Sequence, residues 1–175
     1  MQQEKTMMIA RNITVLTAIV ISAIAIASTG SVRADSDARQ SFTVLKGLEG
    51  KWAGKNQQGE TIHVSFRTTG NGSAVMSEIE GHGADTMISM FHLDGDRLLL
   101  THYCSAGNQP RLKMVSSDGK SLNFEFFDGT NIAEGAGHMQ QVTFTQPDSD
   151  HHVEEWVFLD HGKELKQVFT LERVK

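Results

Sequence analysis

TMISMFHLDGDRLLLTHYC, at residues 86–104, is the stretch that decides the fold. Two runs rich in apolar side chains, residues 86–93 and 97–104, flank an Asp-Gly-Asp segment. Glycine supplies the positive φ that tight turns require, and a short turn between two such runs is typical of a hairpin. The stretch therefore predicts two antiparallel strands joined by a tight turn.

The same pattern of short strands and turns continues on both sides of this hairpin. Asn71-Gly72 is another such turn, because both central residues of the favoured hairpin turn prefer positive φ. Ten strands are predicted, at residues 48–56, 60–69, 73–80, 86–93, 97–104, 111–116, 121–127, 138–146, 151–159 and 163–174. Consecutive strands without a crossover helix predict an all-β, up-and-down antiparallel barrel. A closed barrel is favoured over a sandwich because it leaves no exposed edge strand.

One short helix is predicted before the barrel, at residues 36–48. Phe42, Leu45 and Leu48 recur at three-residue steps and therefore share one face. Ser36 is a suitable N-cap for this helix. We expect so short a helix to cover one end of the barrel rather than to form a layer of its own.

Residues 1–34 have the features of a secretory signal peptide. Lys5 and Arg11 precede an apolar run at residues 13–28, and Val32-Arg33-Ala34 resembles a cleavage site. The apolar run is shorter than the ~20 residues that span a bilayer, although an uncleaved anchor is the alternative. The sequence thus predicts an exported protein, periplasmic or secreted, without a stable membrane span after cleavage. Residues 35–175 are then a single barrel domain.

The predicted mature chain is acidic and contains a single cysteine. Residues 1–34 hold three basic residues and one acidic residue, which leaves 13 basic and 20 acidic residues and a net charge of −7. This balance disfavours nucleic acid and anionic membranes as partners. Cys104 has no second cysteine with which to form an intramolecular disulfide, and a four-cysteine zinc site is excluded for the same reason.

The two ends of the predicted barrel carry a resemblance to a known superfamily. The segment LEGKWAG at residues 48–54 resembles the G-x-W opening of the calycins, the lipocalins and their relatives. The resemblance implies that Trp52 on the first strand packs beneath Arg173 on the last strand, and a cation–π contact would close that end. Residues 91–112 also resemble a stretch found in uncharacterised exported bacterial proteins of lipocalin-like type. The resemblance implies a fold and brings no established activity.

The strand at residues 97–104 supplies the candidate ligand-binding site. Strand alternation places Leu98, Leu100, His102 and Cys104 on one face, which we expect to point inward, and Tyr103 on the other. The candidate polar contacts to a ligand are His102, Cys104, Tyr103, His92 and Arg111. Four interpretations of the His102–Cys104 pair stay open: orientation of a ligand, metal binding together with His92, activation of the thiol by the imidazole, or a purely structural role.

Several other histidines raise the question of a cofactor. Nitrobindin-like barrels, which are small calycin relatives, hold haem through a single late histidine, and the late histidines here are His138, His151, His152 and His161. His151 and His152, with Glu154 and Glu155 after them, raise the question of a zinc site. Neighbouring strand residues point to opposite faces, so the two histidines cannot both bind one ion without a bend, and a solvated strand start is expected instead. The sequence assigns no metal-binding residue and no cofactor, and haem stays an alternative.

The sequence favours a binding protein over an enzyme. No Ser/His/Asp arrangement, phosphate-binding glycine loop or paired-carboxylate site occurs at an interpretable spacing, so no catalytic residue is assigned. The predicted function is the binding of a small apolar or amphipathic molecule in the barrel lumen. The alternatives are a haem- or metal-binding protein or enzyme on the same barrel, and a structural or interaction domain of the cell envelope with a filled barrel.

Overall fold

A computed structural model describes residues 37–81 and 85–175 of the chain. Within these residues, a helix, α1 (residues 37–47), precedes ten strands. The strands are β1 (Gly50–Asn56), β2 (Thr61–Thr69), β3 (Ala74–Glu80), β4 (Met87–Asp94), β5 (Arg97–Tyr103), β6 (Gln109–Ser117), β7 (Ser121–Thr130), β8 (His138–Thr145), β9 (His151–Asp160) and β10 (Lys163–Arg173). The predicted signal peptide and Ser36 lie outside the described residues.

The strands form a closed antiparallel barrel in sequence order. Each strand pairs with the next one along the chain, and β1 completes the circle by pairing with β10, with Trp52 opposite Arg173. The prediction of an all-β, up-and-down barrel of ten strands behind a short helix is confirmed. In the part of the chain that the structure covers, no helix is both long and apolar enough to cross a membrane.

The turns explain why the strands end where they do. Asn71 and Gly72 have φ of 54° and 83°, so the predicted positive-φ turn between β2 and β3 is confirmed.

The largest difference from the predicted bounds is in β6 and β7, which pair as far as Gln109 and Thr130. Pro110 lacks a backbone donor, and it fits into this sheet next to a shift in strand register.

The seam between β1 and β10 depends on a glycine. A Cβ atom added to Gly54 would lie 1.8 Å from the carbonyl oxygen of Thr170, which is far inside van der Waals contact. Only a residue without a side chain permits the two backbones to approach this closely. Gly54 is therefore a requirement of barrel closure.

Helix α1 covers one end of the barrel, which we call the closed end. Its predicted apolar face is confirmed, since Phe42 and Leu45 in the helix and Leu48 directly after it are all buried in the core. The indole N–H of Trp52 donates to the carbonyl of Leu48 at 2.8 Å, and the guanidinium of Arg173 lies 4.2 Å from the centre of the Trp52 ring.

Arg173 joins several chain segments at the closed end. Its guanidinium donates to the carbonyl oxygens of Gly47, Glu49 and Ser149 at 2.7–3.1 Å. Gly47 and Glu49 lie at the end of α1 and just before β1, and Ser149 lies in the turn between β8 and β9. A planar guanidinium can stack on a ring and donate in several directions, which suits arginine to this position.

The barrel interior next to the closed end is filled with aromatic side chains. Phe91, Phe124 and Phe144 contact one another edge to face, with ring centres 5.4–6.0 Å apart. All three are buried. Edge-to-face packing of this kind fills the interior between these strands with side chains. The apolar pocket described below lies toward the opposite end of the barrel.

Candidate functional site

An apolar pocket lies at the end of the barrel opposite α1. Its volume is about 350 Å³. Its walls come from the ends of β3, β5 and β9, the starts of β4, β8 and β10, and the loop after β5. The larger apolar side chains that line it are Ile79, Met87, Met139, Trp156, Phe158 and Phe169. Because the strand ends meet here, the pocket is a product of barrel closure rather than of one local motif.

His102 is the central polar residue of the pocket wall. It points inward from β5 and is fully buried, and its Nδ1 lies 2.9 Å from the hydroxyl of Ser89, its register partner on β4. The other ring nitrogen, Nε2, is buried and has no hydrogen-bond partner among the described residues. Burial lowers the pKa of His102 to about 4, so the imidazole is neutral at physiological pH.

Trp156 forms the wall beside His102. The two rings lie 5.0 Å apart between centres and are tilted by 41°. The indole N–H of Trp156 donates to Glu154 at 2.8 Å, and the other oxygen of this carboxylate lies 3.0 Å from Nε2 of His152. The buried carboxylate thus orients the Trp156 ring that faces the pocket.

The buried row of His152, Glu154 and Trp156 corrects the prediction of a solvated strand start. These residues alternate along β9 and all point inward, and His152 and Glu154 are fully buried. His151 does reach solvent, as the prediction required, and its ring contacts Asp148. The charge pattern suggested a surface, but Trp156 shares the face of the other two and was the signal that this face is the core.

Two further polar side chains face the pocket, from opposite sides of the barrel. Cys104 follows β5 and is half-buried. Gln167 on β10 stands opposite Trp156 in register, and its side-chain oxygen is buried without a hydrogen-bond partner in the described structure. Gln167 and Ser89 are site residues that the sequence reasoning missed. The inward alternation of Met87, Ser89 and Phe91 was the available signal for Ser89.

The predicted ligand contacts separate into two groups. His102 and Cys104 both line the pocket, as strand alternation predicted. Tyr103 points outward and is 50% exposed, and Arg111 is exposed and paired with Asp128. His92 lies on the outward face of β4, because its neighbour Phe91 points into the core. Tyr103, Arg111 and His92 therefore lie outside the pocket.

The late histidines do not line this pocket. His161 is exposed, and His152 is enclosed by aromatic rings, with Phe144 stacked on it at 5.9 Å. His138 packs on Phe126 with ring centres 4.5 Å apart. Within residues 37–81 and 85–175, no three His, Cys, Asp or Glu side chains converge in a way that suits a metal ion.

The comparisons with known proteins identify a structural neighbour. No protein-family model and no curated protein matches this chain. The chain is similar to a crystal structure from Nostoc punctiforme of a protein with unknown function from the DUF3598 family, with a TM-score of 0.52 and 13% sequence identity. The match covers 74% of this chain and 49% of that one, so the chain spans about half the length of the neighbour. At this identity the likeness shows a shared barrel fold.

Proposed function

We propose that this protein binds a small, largely apolar molecule in the pocket beside His102. The observation that carries the proposal is the buried, unpartnered Nε2 of His102 on the wall of a mostly apolar pocket of about 350 Å³. Ligand pockets commonly have this form, with apolar walls and a few polar groups that orient the ligand.

The unpartnered Nε2 of His102 is energetically unfavourable unless a ligand binds to it. A buried polar atom without a partner costs about 1–3 kcal/mol, so this arrangement needs a compensating role. A ligand that hydrogen-bonds to Nε2 removes the cost, and the apolar walls supply the rest of the binding free energy. The pocket volume lies near the lower end of the roughly 300–1,000 Å³ range of small-molecule sites. It suits a molecule with a short apolar chain or one to three rings.

We also propose that the protein is of calycin type and functions after export. The Trp52–Arg173 contact and the ten-stranded barrel support a protein of calycin type. The features of residues 1–34 support function after export, in the periplasm or outside the cell. N-terminal sequencing of the protein recovered from a secreting bacterial host tests the export step. A start at Asp35 supports it, whereas recovery of the uncleaved chain in the cytoplasm contradicts it.

Saturable binding of a neutral apolar probe is the test of the binding proposal. N-phenyl-1-naphthylamine fluoresces when it enters an apolar site, and we expect one probe to bind per chain. Cys104 is the only cysteine and lines the pocket, so a bulky neutral maleimide on its thiol should block the probe. Cys104→Ser is the control, because maleimide treatment should not affect its binding. A folded protein without saturable binding contradicts the proposal.

A second candidate function follows from the state of the same histidine. A neutral imidazole with one nitrogen anchored and the other free is the form that ligates haem iron or a metal ion. Absorption spectra after haem addition distinguish this function from the first. A Soret shift that disappears in His102→Ala supports the haem alternative, and an unchanged spectrum removes it. A folded barrel that binds neither probe nor haem favours a structural or interaction role in the envelope.

A further inference from the structure

We infer that the pocket selects an uncharged ligand whose oxygen acceptor, such as that of a ketone or an ester, accepts a hydrogen bond from Nε2–H of His102. The inference rests on the proposed binding function and adds the chemical class of the ligand. Three observations carry it: the polarity of the pocket wall, the contact between Ser89 and His102, and the burial of both side chains.

The pocket wall offers no charge to a ligand. Among the described residues that line it, none is Asp, Glu, Lys or Arg. His102 does not supply a cation, because burial keeps it neutral. The buried carboxylate of Glu154 lies behind Trp156 and is engaged by Trp156 and His152. An ionised carboxylate or amine in this pocket would lose its hydration without gaining a counter-charge, which is strongly unfavourable.

Ser89 determines which ring nitrogen of His102 carries the proton. The Ser89 hydroxyl has no hydrogen bond in the described structure other than that to Nδ1. Ser77, its register neighbour on β3, is also buried, and its hydroxyl oxygen has no partner, so it does not accept from Ser89. If Nδ1 carried the proton, the hydroxyl hydrogen of Ser89 would have no acceptor.

The opposite tautomer satisfies the buried hydroxyl. When the Ser89 hydroxyl donates to Nδ1, its hydrogen is satisfied and the imidazole proton is on Nε2. Buried donors without partners are rare in proteins, which favours this arrangement once a ligand accepts from Nε2. The free nitrogen is then a donor, and the matching ligand atom is an acceptor. Gln167 does not select between a donor and an acceptor on the ligand, because its amide can present either its oxygen or its NH₂ group.

A matched ligand series tests the inference on the purified full chain. Methyl decanoate, decanoate, decylammonium and decane share one chain length and differ only in the head group. Each is titrated against bound N-phenyl-1-naphthylamine. We expect the methyl ester to displace the probe at roughly threefold to tenfold lower concentration than decane, as one hydrogen bond allows. We expect both ionised compounds to be weaker than the ester by more than about tenfold.

The possible outcomes separate this inference from the proposed function. If the probe binds and decanoate or decylammonium competes as well as the ester, the proposed function stands and the inference is overturned. If the probe does not bind, both fall. In His102→Phe the preference for the ester over decane should disappear, and Tyr103→Phe, which points away from the pocket, should keep it.

Nitrogen NMR of the imidazole provides an independent readout. The ¹⁵N shifts and couplings of His102 distinguish a proton on Nε2 from one on Nδ1, and the inference requires Nε2–H. A proton on Nδ1 in the native protein would overturn it even if neutral ligands bind. Ser89→Ala is the matching variant. It removes the hydroxyl that donates to Nδ1, so both tautomers should be populated and the preference for the methyl ester over decane should fall.

Discussion

His102 connects the burial of one side chain to the stability of the whole fold. Its pKa is lowered to about 4 from an ordinary value of 6.5, because the buried ring loses the hydration that stabilises its charged form. Between these two values the unfolded chain binds a proton that the folded chain excludes. The contribution of the buried, neutral His102 to the free energy of unfolding is therefore fully present above about pH 6.5 and falls as the pH is lowered toward 4.

The pH dependence of unfolding checks this consequence. From pH 7 to 4.5 we expect His102 to account for a loss of about 2–3 kcal/mol, on the basis of the pKa of about 4. In His102→Gln that part of the loss should be absent in urea unfolding at the two pH values. His161→Gln is the control, because His161 is exposed. Equal pH dependence of the wild type and His102→Gln would contradict the account.

Glu154 is the second residue whose burial has a measurable consequence. Its carboxylate serves both Trp156 and His152, so Glu154→Ala leaves two buried groups without their partner. We expect a loss of about 2–4 kcal/mol in the free energy of unfolding, and a smaller loss for Glu154→Gln, whose amide oxygen can still accept from Trp156. The adjacent surface residue offers a control: Glu155→Ala should cost no more than about 1 kcal/mol. Equal effects at the two positions would refute the assigned role.

At the scale of the elements, the seam between β1 and β10 closes the barrel. Gly54→Ala introduces a methyl group at the carbonyl of Thr170, so the two strands must separate locally. We expect a loss of about 2–4 kcal/mol and faster hydrogen exchange of the β1 and β10 amides. Gly47→Ala, in open space at the end of α1, should be neutral or slightly stabilising. Unchanged exchange in Gly54→Ala would show that the seam does not depend on glycine.

The sequence predicted the elements well because barrel strands carry local signals. Alternation and turn residues such as Asn71 and Gly72 are properties of short segments, and they sufficed for the strand count, the strand order and the inward position of His102. The pocket partners were not predictable in the same way. Gln167 and Trp156 reach the pocket only because β9 and β10 close the circle, which depends on long-range register.

The residues that the sequence placed wrongly also owe their positions to the closed barrel rather than to local sequence signals. Glu154 was placed in a solvated strand start, whereas the barrel buries it and supplies Trp156 and His152 as the partners that a buried carboxylate needs. Arg111 and His92 are near the site in sequence, but strand alternation and the barrel wall put them outside. Proximity along the chain was therefore a poor guide to the site, and shared facing direction was a good one.

At the scale of the whole molecule, the barrel separates its closed end from its pocket. Arg173 joins α1, β1 and the β8–β9 turn at the closed end, whereas His102 and Trp156 line the pocket toward the opposite end. Changes at the closed end should therefore alter stability without altering ligand affinity. The fold in this way keeps its stabilising contacts apart from its proposed binding site.

A variant of Arg173 tests this separation. Arg173→Lys keeps the charge but loses the planar fork that contacts three carbonyls and the Trp52 ring. We expect a loss of about 2 kcal/mol in thermal or urea unfolding, with probe affinity unchanged below the melting temperature. Arg97→Lys, in an exposed ion pair with Asp94, should change stability by about 0.5 kcal/mol or less. A loss of probe affinity in folded Arg173→Lys would contradict the separation.

The central claim is that ligands enter the pocket beside His102, and the two tryptophans of the chain test it directly. Trp156 lines the pocket, and Trp52 lies beneath Arg173 at the closed end. The measurement is the change in tryptophan emission during titration with N-phenyl-1-naphthylamine in Trp52→Phe and Trp156→Phe. The account predicts a saturable loss of emission in Trp52→Phe that is several-fold larger than in Trp156→Phe. An equal or larger response from Trp52, or no saturable response from either, would contradict it.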